Sequence, residues 1–132
     1  MVLGEYEQKF NGKNRIALSK KIRREFGKII ILAKGLDECI FGFSADYWNR
    51  VAEQEMSKSI MSSEGLQSRR KMFAGAVEVD IDFQGRIVVP ENLLLYAGIK
   101  SNASQEMMVI GAGDHLEVWD KSKWDKYAKN NF

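Results

Sequence analysis

Two stretches of this chain, "NGKNRIALS" at 11–19 and "DFQGRIVVP" at 82–90, repeat one pattern: a polar turn, an arginine, then a short apolar run. A shift of 71 positions lays Arg15 on Arg86, Ile16 on Ile87, Leu18 on Val89, Ile22 on Leu93 and Gly27 on Gly98. Further along, a shift of 76 matches Ile40 with Leu116, Phe43 with Trp119 and Trp48 with Trp124. The chain is a tandem duplication with a period of about 70 residues, and that constrains the fold more than any single motif does. One copy, about 35–40 residues of short strands, is too small to close a sheet and cover its edges. Two interlocking copies solve that within one chain. The duplication therefore reads as an intramolecular pseudo-dimer.

Each copy reads strand, turn, strand, short helix, strand, turn, strand, helix start. In the second copy "AVEVDID" alternates apolar and polar residues, "FQG" supplies a turn, and "RIVVP" is a short strand ended by Pro90. "PENLLLYAG" places Pro90 at the first helical turn and Gly98 as the stop. "EMMVIGA" and "HLEVW" form two strands joined around "GAGD", and Asp120 is positioned to cap a final helix. The spacing predicts two helices between the copies, "ADYWNRVAEQEMSKSIM" and "GLQSRRKMFAG", interrupted by "SSEG". Tyr47, Trp48, Val51 and Met56 share one face of the first, as packing positions. The expected organisation is a first repeat at 1–50, a connecting helical segment at 51–75 and a second repeat at 76–132. Without a Gly/Ser-rich or Pro-rich linker, the halves should pack as a unit. The fold class is mainly β with short α-helices, α+β overall.

Charge separates the copies. Residues 1–36 hold nine Lys/Arg against Glu5, Glu7 and Glu25, a local charge of +6, on a chain whose formal net charge is only +2. A basic end on a nearly neutral chain points to an acidic partner, with nucleic acid the commonest. The competing reading of "KKIRREF" is a solvated helix face. No segment approaches the roughly 20 apolar residues needed to span a bilayer, and "MVLGEYEQKF" lacks the order of a signal peptide, so a cytosolic protein without membrane contact is expected. The single cysteine, Cys39, forms no intrachain disulfide, and its flanks "ECIFGF" mark a buried small hydrophobe.

Enzyme signatures are weak. His115 has no second His or Cys at ligand spacing, so neither zinc nor another metal is expected, and its place in "GAGDHLEVW" suits a structural hydrogen bond. "GAGDHL" lacks the third glycine of a dinucleotide loop, and "SRRK" at 68–71 lacks the companion motifs of a Ser-x-x-Lys enzyme. Asp80 and Asp82 share a strand face with no substrate pocket in view. No catalytic residue and no cofactor are expected.

The stretches "LGEYEQKFNGKNRIALSKKIRREF", "RRKMFAGAVEVDIDFQGRIVVPENLLLYAGI" and "VIGAGDHLEVWDKSKWDKY" together resemble the MraZ family over almost the whole chain. These are bacterial transcriptional regulators with two tandem swapped-hairpin repeats related to AbrB and SpoVT, each with a turn of the form Asp-x-Lys-Gly-Arg. The resemblance implies one pseudo-dimeric barrel per chain, a ring-like homo-oligomer, a cytoplasmic, nucleoid-associated location, and binding to short direct repeats of double-stranded DNA in the promoter of a division and cell-wall gene cluster. The first turn departs from the pattern at Asn11, Asn14 and Ser19, which stand for Asp, Gly and Pro. In the second turn Asp82, Gly85, Arg86 and Pro90 fit, and Gln84 replaces Lys. Asn tolerates a positive φ, so Asn14 preserves the turn, and losing the Asn11 carboxylate makes this loop more basic.

The DNA-binding residues expected on this basis are Lys13, Asn14 and Arg15 of the first turn with Lys20, Lys21, Arg23 and Arg24 of the helix after it. Arg15 suits a bidentate contact to a guanine edge, and the helix cations suit phosphates; the competing reading has Arg15 simply close its hairpin on Asn11. The second turn, Asp82, Gln84, Gly85 and Arg86, is expected to be structural or a secondary DNA contact, with Arg86 closing its hairpin on Asp82. An oligomeric interaction module that does not read DNA sequence is the rival, since three Trp and six Met could serve subunit contacts.

Overall fold

The computed structural model describes all residues, 1–132. The elements in chain order are β1 Val2–Lys9, β2 Arg15–Ala17, α1 Lys20–Arg23, β3 Ile29–Lys34, β4 Ile40–Phe43, α2 Ala45–Met56, α3 Ser63–Ala74, β5 Val77–Asp80, β6 Arg86–Val88, α4 Glu91–Tyr96, β7 Glu106–Gly113, β8 Leu116–Asp120 and α5 Lys121–Asn131. Small polar residues start most of the helices. Ser19, Ser44, Ser62 and Asp120 accept hydrogen bonds from the N–H groups of Ile22, Tyr47, Gly65 and Lys123 at 3.0–3.3 Å.

The antiparallel sheet runs β1-β7-β8-β4-β3-β5. Exchanging the copies turns this order into its own reverse, because β1 corresponds to β5, β7 to β3 and β8 to β4. Each copy's first strand therefore pairs with the other copy's third: β1 with β7, and β5 with β3. That exchange is the swap implied by the duplication, and neither copy has a complete sheet without the other. The centre is the β4–β8 pair, in which Phe41 faces Glu117.

The second layer is a two-stranded ribbon in which Ile16 faces Ile87, Arg15 faces Val88 and Ala17 faces Arg86. Because Ile16 and Ile87 are equivalent in the repeat, a pseudo-two-fold axis passes between them. Leu18 N–H donates to Gly85 O at 2.8 Å, and the equivalent Val89 N–H donates to Asn14 O at 2.7 Å. Between ribbon and sheet lies a core of 18 buried residues drawn from both copies, among them Ile16, Leu18, Ile22, Ile30, Ile87, Val89, Leu93 and Met107. Burying each such side chain contributes about 1.5–3 kcal/mol.

The expected barrel does not close. β1 and β5 lie at opposite edges of the large sheet with no ladder between them, so the sheet is open. Both edge strands lead into the turns that feed the ribbon, and the ribbon, rather than an edge-to-edge pairing, caps the open side of the core.

The first connecting helix is shorter than the apolar spacing predicts, whereas α3 begins early, at Ser63 within "SSEG", because Ser62 caps it. α2 stops at Met56, because Ser57 Oγ donates back to Gln54 O at 2.6 Å and the following "SKS" offers the backbone non-helical partners. Tyr47, Trp48 and Val51 pack beside Ile31, Ala33 and Phe43 as expected, whereas Met56 is exposed. No helix is long and apolar enough to cross a membrane.

Candidate nucleic-acid interface

The two turns share a backbone. Asn14 sits at φ 56° and its equivalent Gly85 at φ 81°, the left-handed conformation that Asn tolerates better than other non-Gly residues. Asn11 N–H donates to Arg15 O at 2.6 Å, and Asp82 N–H to Arg86 O at 3.0 Å. The side chains differ. Asp82 Oδ1 accepts the N–H groups of Gln84 and Arg86, both at 2.9 Å, and Oδ2 accepts Arg86 Nε at 2.8 Å. These bonds, led by the Arg86 backbone N–H, hold the Asp82 carboxyl below the usual carboxylate range. Arg86 is thus neutralised within its own turn.

Arg15 is pinned without being neutralised. Its Nε donates to the backbone carbonyl of Asn11 at 2.6 Å, and its guanidinium lies over Gly12, where a β-carbon would come within 2.8 Å of Nη2. No carboxylate pairs with it, and four of its five N–H donors are left over. Lys13 is exposed at the tip of the turn. Asn14 does not reach outward: its side chain is buried and its role here is the backbone turn. It shapes the backbone of the turn that carries Arg15.

The helix cations lie elsewhere than expected. The sequence reading places Lys20, Lys21, Arg23 and Arg24 beside the first turn, because they follow it in the chain. The ribbon is antiparallel, so β2 carries the chain away from its own turn and delivers α1 to the second one. Arg23 is half-buried, with its guanidinium in the space a β-carbon would take on Gly85. Ile81 N–H donates to Lys28 O at 2.8 Å on the same side. Lys20, Lys21, Arg24 and Lys28 are exposed, and no ion pair engages any of them or Arg23. The second turn, neutral in its own residues, thus acquires its positive surroundings from the first copy. The first turn instead borders a groove with Ser101, Asn102 and Ala103 of the second copy. Sequence reasoning missed Lys28 and this loop, and only the repeat register combined with an antiparallel ribbon could have signalled them. Phe83, 90% exposed at the tip of the second turn, is a further outward group without a counterpart in the first.

His115 and Cys39 lie in internal contacts away from both turns. His115 Nδ1 lies 2.7 Å from Asp114 Oδ1 and Nε2 2.8 Å from Glu117 Oε2, and Trp119 Nε1 donates to Glu117 Oε1 at 2.9 Å. Cys39 is fully buried with its Sγ 3.2 Å from Leu36 O, and burial, with the Glu117 charge adding to it, pushes its thiol pKa up. No group of three or more His, Cys, Asp and Glu is arranged to hold a metal ion.

The family model described as "MraZ protein, putative antitoxin-like" matches residues 1–69 and again 72–131. The chain belongs to the MraZ family. It is 38% identical over 128 residues to the transcriptional regulator MraZ of Acetivibrio thermocellus, covering 97% of this chain and 87% of that protein. It is 39% identical over 130 residues to the transcriptional regulator MraZ of Caldicellulosiruptor bescii, covering 98% and 88%. Within this MraZ-family chain, the differences of the first turn from the second, Asn11 for Asp82 and Ser19 for Pro90, now have a geometry. Asn11 keeps the carbonyl that fixes Arg15 while removing the charge that would neutralise it, and Ser19 replaces a Pro with a side chain that caps α1.

Proposed function

We propose that this member of the MraZ family is a DNA-binding transcriptional regulator that binds direct repeats in a promoter, of the kind that precedes division and cell-wall genes, through the basic turns of a homo-oligomer. The names of its relatives support the regulator, and one observation carries the choice of site. At two pseudo-symmetric positions Arg86 is neutralised by Asp82, whereas Arg15 is held by a backbone carbonyl with its charge unpaired. Arg15 is therefore proposed as the reading residue, with Lys13 beside it. Lys20, Lys21, Arg23 and Arg24 are proposed as phosphate contacts flanking the second turn, in which Asp82, Gln84, Gly85 and Arg86 provide a platform. Repeats at 1–50 and 76–132, joined through 51–75, place one such face at each end of the ribbon. No catalytic step, metal or cofactor enters this reading.

The exposed apolar side chains Leu3, Ile60, Met61 and Leu95 supply surface for subunit contacts, and a ring-like assembly would present the turns repeatedly to repeated DNA sites. Each phosphate neutralised should steepen the dependence of log K on log salt by about 0.9. The test is fluorescence anisotropy with DNA from upstream of the gene and a scrambled duplex, at two salt concentrations. A salt-sensitive preference for the native DNA is expected, and Arg15→Ala should weaken it by about 1–3 kcal/mol without altering fold or assembly. Equal binding to both duplexes would instead favour an interaction module with a general basic surface. Unchanged affinity in Arg15→Ala would remove Arg15 from the site.

A further inference from the structure

The helices between the copies pack across β3 and β4 and leave an open-mouthed, mainly apolar cavity of about 190 Å³. Its walls include Ala33, Phe41, Phe43, Trp48, Val51 and Met72. Three aromatic rings thus converge on one space, with Phe43 5.5 Å from Trp48 and 5.8 Å from Phe41 between centroids. Lys34 and Lys71 also line it. The Lys34 stem lies along the backbone of Gly75, where a β-carbon would come within 3.0 Å of Cγ. Its Nζ reaches 5.5 Å from the centre of the Tyr96 ring, and Lys71 Nζ reaches 5.9 Å from the same ring. Tyr96 is fixed by its hydroxyl, which donates to Gly35 O at 2.6 Å.

The charge at this mouth is unbalanced. Neither Lys34 nor Lys71 forms an ion pair. The one carboxylate in the lining, Glu55, is already engaged: Oε1 accepts from Ser68 Oγ, and Oε2 pairs with Lys58 at 2.8 Å. Two ammonium groups gathered at one ring repel each other, and cation–π attraction offsets only part of that repulsion. An anion bound at this mouth relieves it. A dry apolar cavity of about 150 Å³ admits benzene, so this space holds a single ring together with a small charged group.

We propose that the cavity is a binding site for a small planar organic anion, a single-ring aromatic carboxylate, with the ring against Phe41, Phe43 and Trp48 and the carboxylate paired with Lys34 and Lys71 at its mouth. The site uses no residue of either turn, so it stands or falls independently of the DNA interface. The experiment is calorimetric titration of the full chain with benzoate, with benzamide as the uncharged analogue. Saturable benzoate binding at about 1 mM or tighter is expected. Benzamide should bind about tenfold more weakly, because it lacks the charge-assisted contacts. The surface double variant K34Q/K71Q should lose about the same factor for benzoate and leave benzamide unchanged. Absence of saturable binding up to about 20 mM, equal affinities for the two compounds, or full benzoate affinity in K34Q/K71Q would each overturn the proposal. So would a benzoate-insensitive protein whose oligomer dissociates in K34Q/K71Q, since the occupant would then be another copy of this chain.

Discussion

Gly85 and Gly27 make a controlled pair for the coupling between α1 and the second turn. Both have left-handed backbones, φ 81° and φ 76°. A β-carbon on Gly27 would meet nothing within 4 Å, whereas one on Gly85 would occupy the place of the Arg23 guanidinium and Cδ. Forcing alanine into the left-handed region costs about 1–2 kcal/mol, and the stiffer unfolded chain returns about 0.4–1 kcal/mol of that. Gly27→Ala should therefore lose no more than about 1.6 kcal/mol, seen as a fall in the urea midpoint with unchanged m value. Gly85→Ala carries the same backbone term. Its additional clash is with a flexible side chain that can swing into solvent, so its extra loss should stay below about 1 kcal/mol. The difference should appear in DNA binding instead. Displacing Arg23 should weaken the Gly85→Ala protein on native upstream DNA and lower its salt slope by about 0.9, one phosphate contact, while Gly27→Ala keeps wild-type binding. Urea titrations and anisotropy on both variants decide it. Equal DNA binding in the two variants, or a Gly85→Ala loss of several kcal/mol, would refute the view that Arg23 rests loosely on Gly85 as part of the interface.

Two further outcomes follow from the buried titratable groups. Cys39, fully buried and with its thiol pushed up, should react with a thiol reagent about 100-fold more slowly in the native protein than in urea, and rapid native labelling would place it at the surface. His115 is subject first to burial, which lowers its pKa, but its hydrogen bonds to Glu117 and Asp114 outweigh burial and leave it raised above the ordinary 6.5. The stabilisation from this contact should be fully present below about pH 6.5 and fade as pH rises through the folded value. His115→Gln should abolish the part of the decline in urea midpoint between about pH 6 and 8 that comes from this residue, and an unchanged pH profile in that variant would refute the assignment.

The duplication was legible from "NRIAL" and "GRIVV" alone, because equivalent core positions need equivalent apolar residues: Ile16 and Ile87, Leu18 and Val89, and Ile22 and Leu93 are all buried in one core. The left-handed turn at Asn14 and the cap at Asp120 were legible too, since each rests on a preference expressed within a few residues. So was the unequal charge of the copies. What the sequence left open was every relation set by pairing across the copies. It did not show that the sheet stays open, because closure depends on where β1 and β5 meet the ribbon, a matter of register and twist rather than composition. Nor did it show that α1 serves the second turn. Proximity in the chain suggested the first, but an antiparallel ribbon carries the helix to the opposite end, so that Arg23 lies on Gly85. Asn14 looked like a contact residue and is instead buried, because only packing around the turn decides which way its side chain points. The sequence by itself determined the repeat, the core positions and the stock of free cations. The tertiary structure decided which cations share a face, since the swap exchanges partners between segments about 70 to 110 residues apart, beyond the reach of any local pattern.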